Sequence, residues 1–275
     1  MTKTINQIII ILLALLLLFP IIWMISGSFK SALGAVAMPP TLLPRKPTID
    51  NYITLFKWPV LRWTFNSFIV SAVGAFGATS FSILSGYAFA KKQIPYKETI
   101  FMLFLASLMV PMQSKMIPLF LMIKKMGLYD TLAGMVIPGL ASPVYIFFYR
   151  QFLKSFPNDL LDIAEIDGAG EITKLIKIVI PLSMAPAAAM FLIGFIGGWN
   201  ALMWQLIIAQ SEDIYTLPVG ILKIVTSAEI LFKSGLEHYG LKNACATFAF
   251  MPPLIIFAVF QKHFLKNIFS GATKE

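Results

Sequence analysis

Residues able to do covalent or metal chemistry are sparse in this chain. Cys245 stands alone, so no internal disulfide can form and the redox compartment cannot be read from cysteine. His238 and His263 are isolated from any second ligand at metal spacing, so no metal site is expected and both read as surface or interfacial residues. No Walker A lysine motif occurs, which excludes P-loop binding of ATP by the chain itself. An intramembrane serine protease would need Ser and His facing each other inside the bilayer. One His falls in a loop and the other at a helix end, and G-x-S-x-G is absent. What remains is a cluster of acids, Asp159, Asp162, Glu165 and Asp167, in one of the most polar stretches of a very apolar chain.

The spacing of that cluster predicts a short amphipathic helix. Pro157 and the acids Asp159 and Asp162 suit a first turn, where a missing N–H costs nothing and the dipole favours negative charge. Leu160, Ile163 and Ala164 fall at i, i+3 and i+4 on one apolar face, while Asp159, Asp162 and Glu165 stay wet. Gly168 can close the helix in a left-handed conformation. A second helical run, Thr173 to Val179, carries Lys174 and Lys177 before Pro181. The segment reads as helix, tight Gly turn, helix, too short to cross a bilayer and suited to lie against its face, the plainer alternative being an ordinary interfacial loop.

Asp162, Ala164, Gly168, Ile178 and Pro181, together with Ile166-Asp-Gly-Ala169, resemble the EAA loop in membrane subunits of ATP-binding-cassette importers, specifically the sugar-importer branch. The departures make the local charge more negative: Asp162 replaces the usual Glu, Ile163 the first Ala, and Glu165 a common Arg. The resemblance implies an all-α permease fold of the type I importer kind. It also implies a coupling role for Asp162, Ile163, Ala164, Glu165, Asp167, Gly168 and Pro181. The implied partners are a second related permease subunit forming a heterodimer, two cytoplasmic ATP-binding subunits, and an extracellular solute-binding protein. On this reading the chain is a non-ATPase subunit with no cofactor of its own, ATP being held by its partners. Solutes of the branch are oligosaccharides, simple sugars or glycerol phosphate.

Composition independently demands a membrane. At mean hydropathy +0.80, with 58% hydrophobic and 13% charged residues over 275 positions, a soluble domain would expose large apolar patches. A span needs about 20 apolar residues, and six stretches qualify, near 5–25, 65–90, 99–123, 131–150, 180–208 and 245–264. The whole chain is read as one transmembrane domain, 1–275, with a cytoplasmic coupling segment at 152–180. A net charge of +9 lacks the basic stripe with interleaved aromatics that nucleic acid would need, and it suits loops at lipid headgroups.

The spans carry further signals. The first, containing Pro20, fits an uncleaved span better than a signal peptide despite the small residues of Ser31-Ala-Leu-Gly-Ala35. Residues 26–63 read as an irregular wet loop, with Trp23 and Trp63 anchoring the outer interface. Gly74, Ala78, Ser82 and Gly86 form a small-residue ridge read as packing. Lys115, between Pro111 and Pro118, lies ~24 Å along a straight helix from Thr99, where it can snorkel to the outer boundary. In the fifth span the Trp199-Asn200 pair resembles the family's W-N, and Asn66, Trp199, Asn200 and Gln205 are candidates for a polar solute path, the alternative for a buried Asn being hydrogen bonding between helices. Residues 209–243 read as polar, and their Tyr215, Thr216, Leu217, Pro218 and Gly220 resemble the loop that reaches toward the binding protein.

Orientation cannot be taken from charge. With the N-terminus inside, the 22 Lys and Arg divide eleven and eleven, so the cell-membrane topology with both termini cytoplasmic comes from the resemblance. The remaining rival is an ATP-independent secondary transporter or channel for a small polar solute. Against it, the two halves show no obvious repeat and few intramembrane acids.

Overall fold

A computed structural model describes residues 2–231 and 238–272, and side-chain surroundings are described for 4–227 and 238–259. Lys233 and Lys274 of the charge count lie outside the described residues, as do the side chains of Lys3, Lys262, His263 and Lys266. The described residues are helical, with no strand among them. Three helices are long and apolar enough to cross a bilayer: Thr4–Ser28, Val60–Lys91 and Tyr239–Val259. Three bent pairs bring the number to six if each pair is one span: Lys97–Met109 with Met112–Lys125, Leu132–Gly139 with Pro143–Lys154, and Glu171–Leu182 with Met184–Trp199. These correspond to the six apolar stretches, but half of them are broken.

The breaks have local causes. Val110 before Pro111 is extended (ψ 116°), as is Ser142 before Pro143 (ψ 116°). The proline ring keeps its predecessor out of the α region. The first break turns the chain by 106°, so the straight-rod height assigned to Lys115 does not apply. Its Nζ instead donates to the Ser107 carbonyl at 3.3 Å, pairing a group that the bend releases. Before Pro181 the helix widens into a π turn over Leu175–Val179, with Ile180 N–H reaching back to the Leu175 carbonyl. The fifth span ends at Trp199 rather than at 208: Asn200 caps it, residues 201–202 are irregular, and Met203–Ile208 is a separate short helix.

The chain divides into two compact units, Met1–Trp63 with Leu217–Ile255 and Thr64–Thr216 with Ile256–Glu275. In the first, residues 26–63 are irregular and largely exposed between 38 and 49, but the segment is tied down internally. Asn51 Nδ2 donates to the carbonyls of Ser28 and Lys30, both at 2.8 Å, and the Ser28 and Tyr52 hydroxyls pair at 2.7 Å. Lys30 is buried, donates to the Thr41 carbonyl and lies 4.7 Å from the Trp23 ring centroid. Trp63 is fully buried against Gly220, where any Cβ would collide with its ring, so it is a packing residue and not an interfacial anchor. Within 209–243, Leu217–Leu231 is a helix rather than a polar loop, with Leu217, Val219 and Ile224 buried.

The second unit is organised around the ridge. At Gly86 a Cβ would stand 2.6 Å from Tyr149 Cβ and 3.0 Å from Arg150 N, so the missing side chain lets Pro143–Lys154 approach closely. At Gly74 nothing lies within 4 Å; this end of the ridge faces open space. Arg150, buried beside that contact, holds Glu98 through Nη2 at 2.5 and 2.6 Å and stacks 3.9 Å over Phe101. Glu98→Ala removes the carboxylate from this buried guanidinium, which keeps the Phe89 carbonyl, and with Glu98 itself largely exposed the expected cost is about 1 kcal/mol. Detergent-solubilised melting checks it: the single variant should melt earlier, and Glu98→Ala with Arg150→Met should recover most of the loss.

Candidate functional site

The acidic segment folds as the sequence predicts, with one reassignment of its faces. The helix spans Asp159–Ile166. Lys91 Nζ fixes its start by donating to the Phe156 carbonyl and Asn158 Oδ1, both at 2.6 Å. At the other end Ala169 N–H bonds the Ala164 carbonyl at 2.8 Å and Gly168 N–H the Glu165 carbonyl at 3.0 Å. That double closure is a Schellman cap, and Gly168 adopts φ +78° to make it. Leu161, not one of the expected apolar positions, packs with Ile83, Tyr149, Leu153, Val179 and Met190. Leu160, Ile163 and Ile166 remain 45, 56 and 85% exposed. One helix therefore presents two apolar faces, one sealed into its own unit and one open.

Glu165 is not a free member of an acidic rim. Lys174, with a side chain only 3% exposed, bridges Glu165 at 3.0 Å and Glu171 at 2.8 Å. Glu171 also pairs with Lys92 and accepts from the Tyr87 hydroxyl at 3.1 Å. Glu165 thus ties the helix across the Gly turn to the next helix, Glu171–Lys174. The open negative charge on this face reduces to Asp159, Asp162 and Asp167, which have no ion-pair partner among the described residues. Pro181 lies beyond the π turn, where it ends the segment.

The four residues taken as a solute path are not brought together. Asn66 is buried, and its Nδ2 donates to the carbonyls of Asp213 and Tyr215, both at 2.9 Å, which makes it the clasp of that loop. Trp199 is 2% exposed and stacks on Phe195 at 6.0 Å. Asn200 is exposed at a helix C-terminus rather than buried. Gln205 borders a cavity of about 360 Å³ between the open end of the ridge and residues 135–145 and 193–198. Ser71, also on its wall, was missed, although it extends the small-residue run one step before Gly74.

The expected binding-protein loop is also displaced. Thr216, Leu217 and Gly220 are buried, Pro218 is half-buried, and Tyr215 packs against the cluster of Val70, Ile123 and Ile208. The side chains of Thr216 and Leu217 are therefore committed to internal packing, whereas Tyr215 and Pro218 keep part of their surface open. The exposed residues are the preceding ones, Gln210–Asp213. They are held by Asp130, whose Oδ1 accepts from Gln210 N at 2.8 Å and Ser211 N at 3.0 Å, and by Tyr129, whose hydroxyl bonds Gln210 Oε1 at 2.8 Å. Desolvation pushes the Asp130 carboxyl up, but the hydrogen bonds from Ser211 and Gln210 outweigh it and hold the pKa below its usual value. An acid one position before a capping Thr131 was the available signal.

Residues 78–270 match the family described as binding-protein-dependent transport system inner membrane component. The chain is 33% identical to the arabinooligosaccharides transport system permease protein AraQ of Bacillus subtilis (strain 168), covering 96% of this chain and 92% of that one. It is 28% identical to the sn-glycerol-3-phosphate transport system permease protein UgpE of Rhizobium meliloti (strain 1021), covering 97% and 96%. A chain from the crystal structure of a bacterial ABC transporter involved in the import of the acidic polysaccharide alginate shares the fold, with a TM-score of 0.73 and 23% identity over 96% of each chain. This chain belongs to the inner-membrane components of binding-protein-dependent transport systems.

Because nothing lies within 4 Å of a Cβ at Gly168, the cost of substitution there is purely conformational. Gly168→Val is expected to strain the cap by ~1–3 kcal/mol, while Gly168→Asn, which tolerates positive φ, should cost much less. Limited proteolysis between residues 159 and 182 checks this, faster cleavage being expected for Val only.

Proposed function

We propose that this chain is the permease subunit of an ATP-driven, binding-protein-dependent importer of carbohydrate. It forms half of the translocation pathway and couples to a cytoplasmic ATPase through the segment Asp159–Leu182. The observation that carries the reading is the doubly apolar coupling helix. Leu161 anchors it in its own unit, and Leu160, Ile163 and Ile166 form an exposed surface flanked by the open acids Asp159, Asp162 and Asp167. Such a surface suits a socket with an apolar floor and a basic rim. A rigidly capped helix transmits movement of that socket into the membrane helices as a push rather than a flexing of the turn.

Membership of the binding-protein-dependent family supports the partners of this reading: a second, related permease subunit, two ATP-binding subunits, and a solute-binding protein outside. ATP is bound by the partners and this chain needs no cofactor. The relatives named for arabinooligosaccharides and for alginate support carbohydrate as the solute class. Both termini lie in the cytoplasm, with Gln210–Asp213 outside as the surface offered to the binding protein.

Two measurements test this reading. Leu160→Asp and Ile163→Asp are each expected to weaken retention of the ATPase subunit on purification by roughly 10–100-fold. Full retention in both would remove the segment from the coupling role, and ATP-independent uptake by reconstituted protein would establish the secondary-transporter alternative. For topology, Glu212→Cys in a Cys245→Ala background should react with an impermeant thiol reagent in intact cells. Labelling only after lysis would invert the orientation. Thr216 is unsuitable for this probe because it is only 2% exposed.

A further inference from the structure

Resting on the importer reading, we infer that the cavity of about 360 Å³ is a subsite for an uncharged, hydroxyl-bearing solute, and that this subunit contacts the cargo there through Ser71 and Gln205. Its size falls within the range of about 300–1,000 Å³ typical of small-molecule sites. Ser71 and Gln205 are 1% and 4% exposed, yet Ser71 Oγ and Gln205 Oε1 have no hydrogen-bond partner in the protein. Buried polar atoms are ordinarily paired, so two orphans on one cavity wall mark where a ligand's hydrogen bonds belong. Gln205 Oε1 can only accept, and Ser71 Oγ can donate or accept. A sugar hydroxyl meets both, whereas a lipid acyl chain meets neither.

The rest of the wall narrows the chemistry. Ser142 and Tyr145 add further hydroxyls, and no Lys, Arg, Asp or Glu lines the cavity. A phosphate or uronate would enter without a compensating cation, at the cost of desolvating its charge. The site therefore selects neutral saccharides over phosphorylated or acidic ones. Bare backbone keeps it open: at Gly74 and Gly197, both on its wall, an added Cβ would find nothing within 4 Å. Larger side chains at these two helical positions would project into the cavity without displacing a neighbour.

The test uses the complex purified with its partner subunits, reconstituted in proteoliposomes and loaded in turn with arabinotriose, maltotriose and glycerol 3-phosphate. Neutral trisaccharide should be taken up in preference to glycerol 3-phosphate. Gly74→Leu and Gly197→Leu should lower trisaccharide uptake about tenfold while the subunits still co-purify, and Ser71→Ala with Gln205→Leu should raise the KM about tenfold. In a Cys245→Ala background, Ser71→Cys changes one atom. A methanethiosulfonate reagent should modify the new thiol, and the transported trisaccharide should slow the reaction; this arm decides if the Leu variants fail to assemble. Unchanged uptake in assembled Leu variants, a modification rate indifferent to trisaccharide, preference for glycerol 3-phosphate, or a thiol shielded by a partner helix in the complex would each overturn the subsite and leave the importer reading intact. No ATP-dependent uptake of any probe would overturn both.

Discussion

Hydrocarbon offers no hydrogen bonds, so each interruption of a membrane helix must be repaired by the protein itself. This chain interrupts its helices repeatedly, and several of the repairs bring together distant parts of the sequence. Lys115 reaches back over the 106° bend to the Ser107 carbonyl. Trp204 Nε1 donates to the Gly134 carbonyl at 3.2 Å, linking the short helix after the fifth span to the one after the third. Asn66 takes the carbonyls of Asp213 and Tyr215, and Asp130 takes the N–H groups of Gln210 and Ser211. Asn66, which by residue type looks like a path-lining group, is occupied with this repair.

That distinction separates what the sequence shows from what it hides. Element type was legible, because apolar runs of span length and a proline-flanked acidic helix ending in Gly have few physical solutions. The positive φ at Gly168 was legible for the same reason. The roles of Asn66, Asn200, Trp63 and Thr216 were not. Residue type sets what a group can bond, whereas tertiary packing sets whether the bond is already made. Asn66 and Asn200 differ only in that respect, one clasped by two carbonyls and the other exposed at a helix end.

Faces were read less well than elements. A helical wheel of Asp159–Ile166 finds one apolar stripe, but Leu161 lies outside it and makes the intramolecular contact. A short helix docked on both sides needs two stripes, and at eight residues periodicity cannot separate them. The charge pattern misled in a related way. Glu165 reads as solvated by spacing, whereas Lys174, nine residues later and across a turn, closes on it. The ridge from Gly74 to Gly86 likewise looks uniform in sequence, but it serves close packing at one end and open space at the other.

The clasp at Asn66 also constrains the order in which the protein can be built. Its acceptors lie 147 and 149 residues further along the chain. At about 5–20 residues per second of synthesis, roughly 7–30 s pass between the emergence of Asn66 and of its partners. Throughout that interval the amide sits in a nascent membrane helix with nothing of its own to bind. Membrane insertion of the early spans therefore precedes their final pairing, and the unit stays unlatched until most of the chain has left the ribosome.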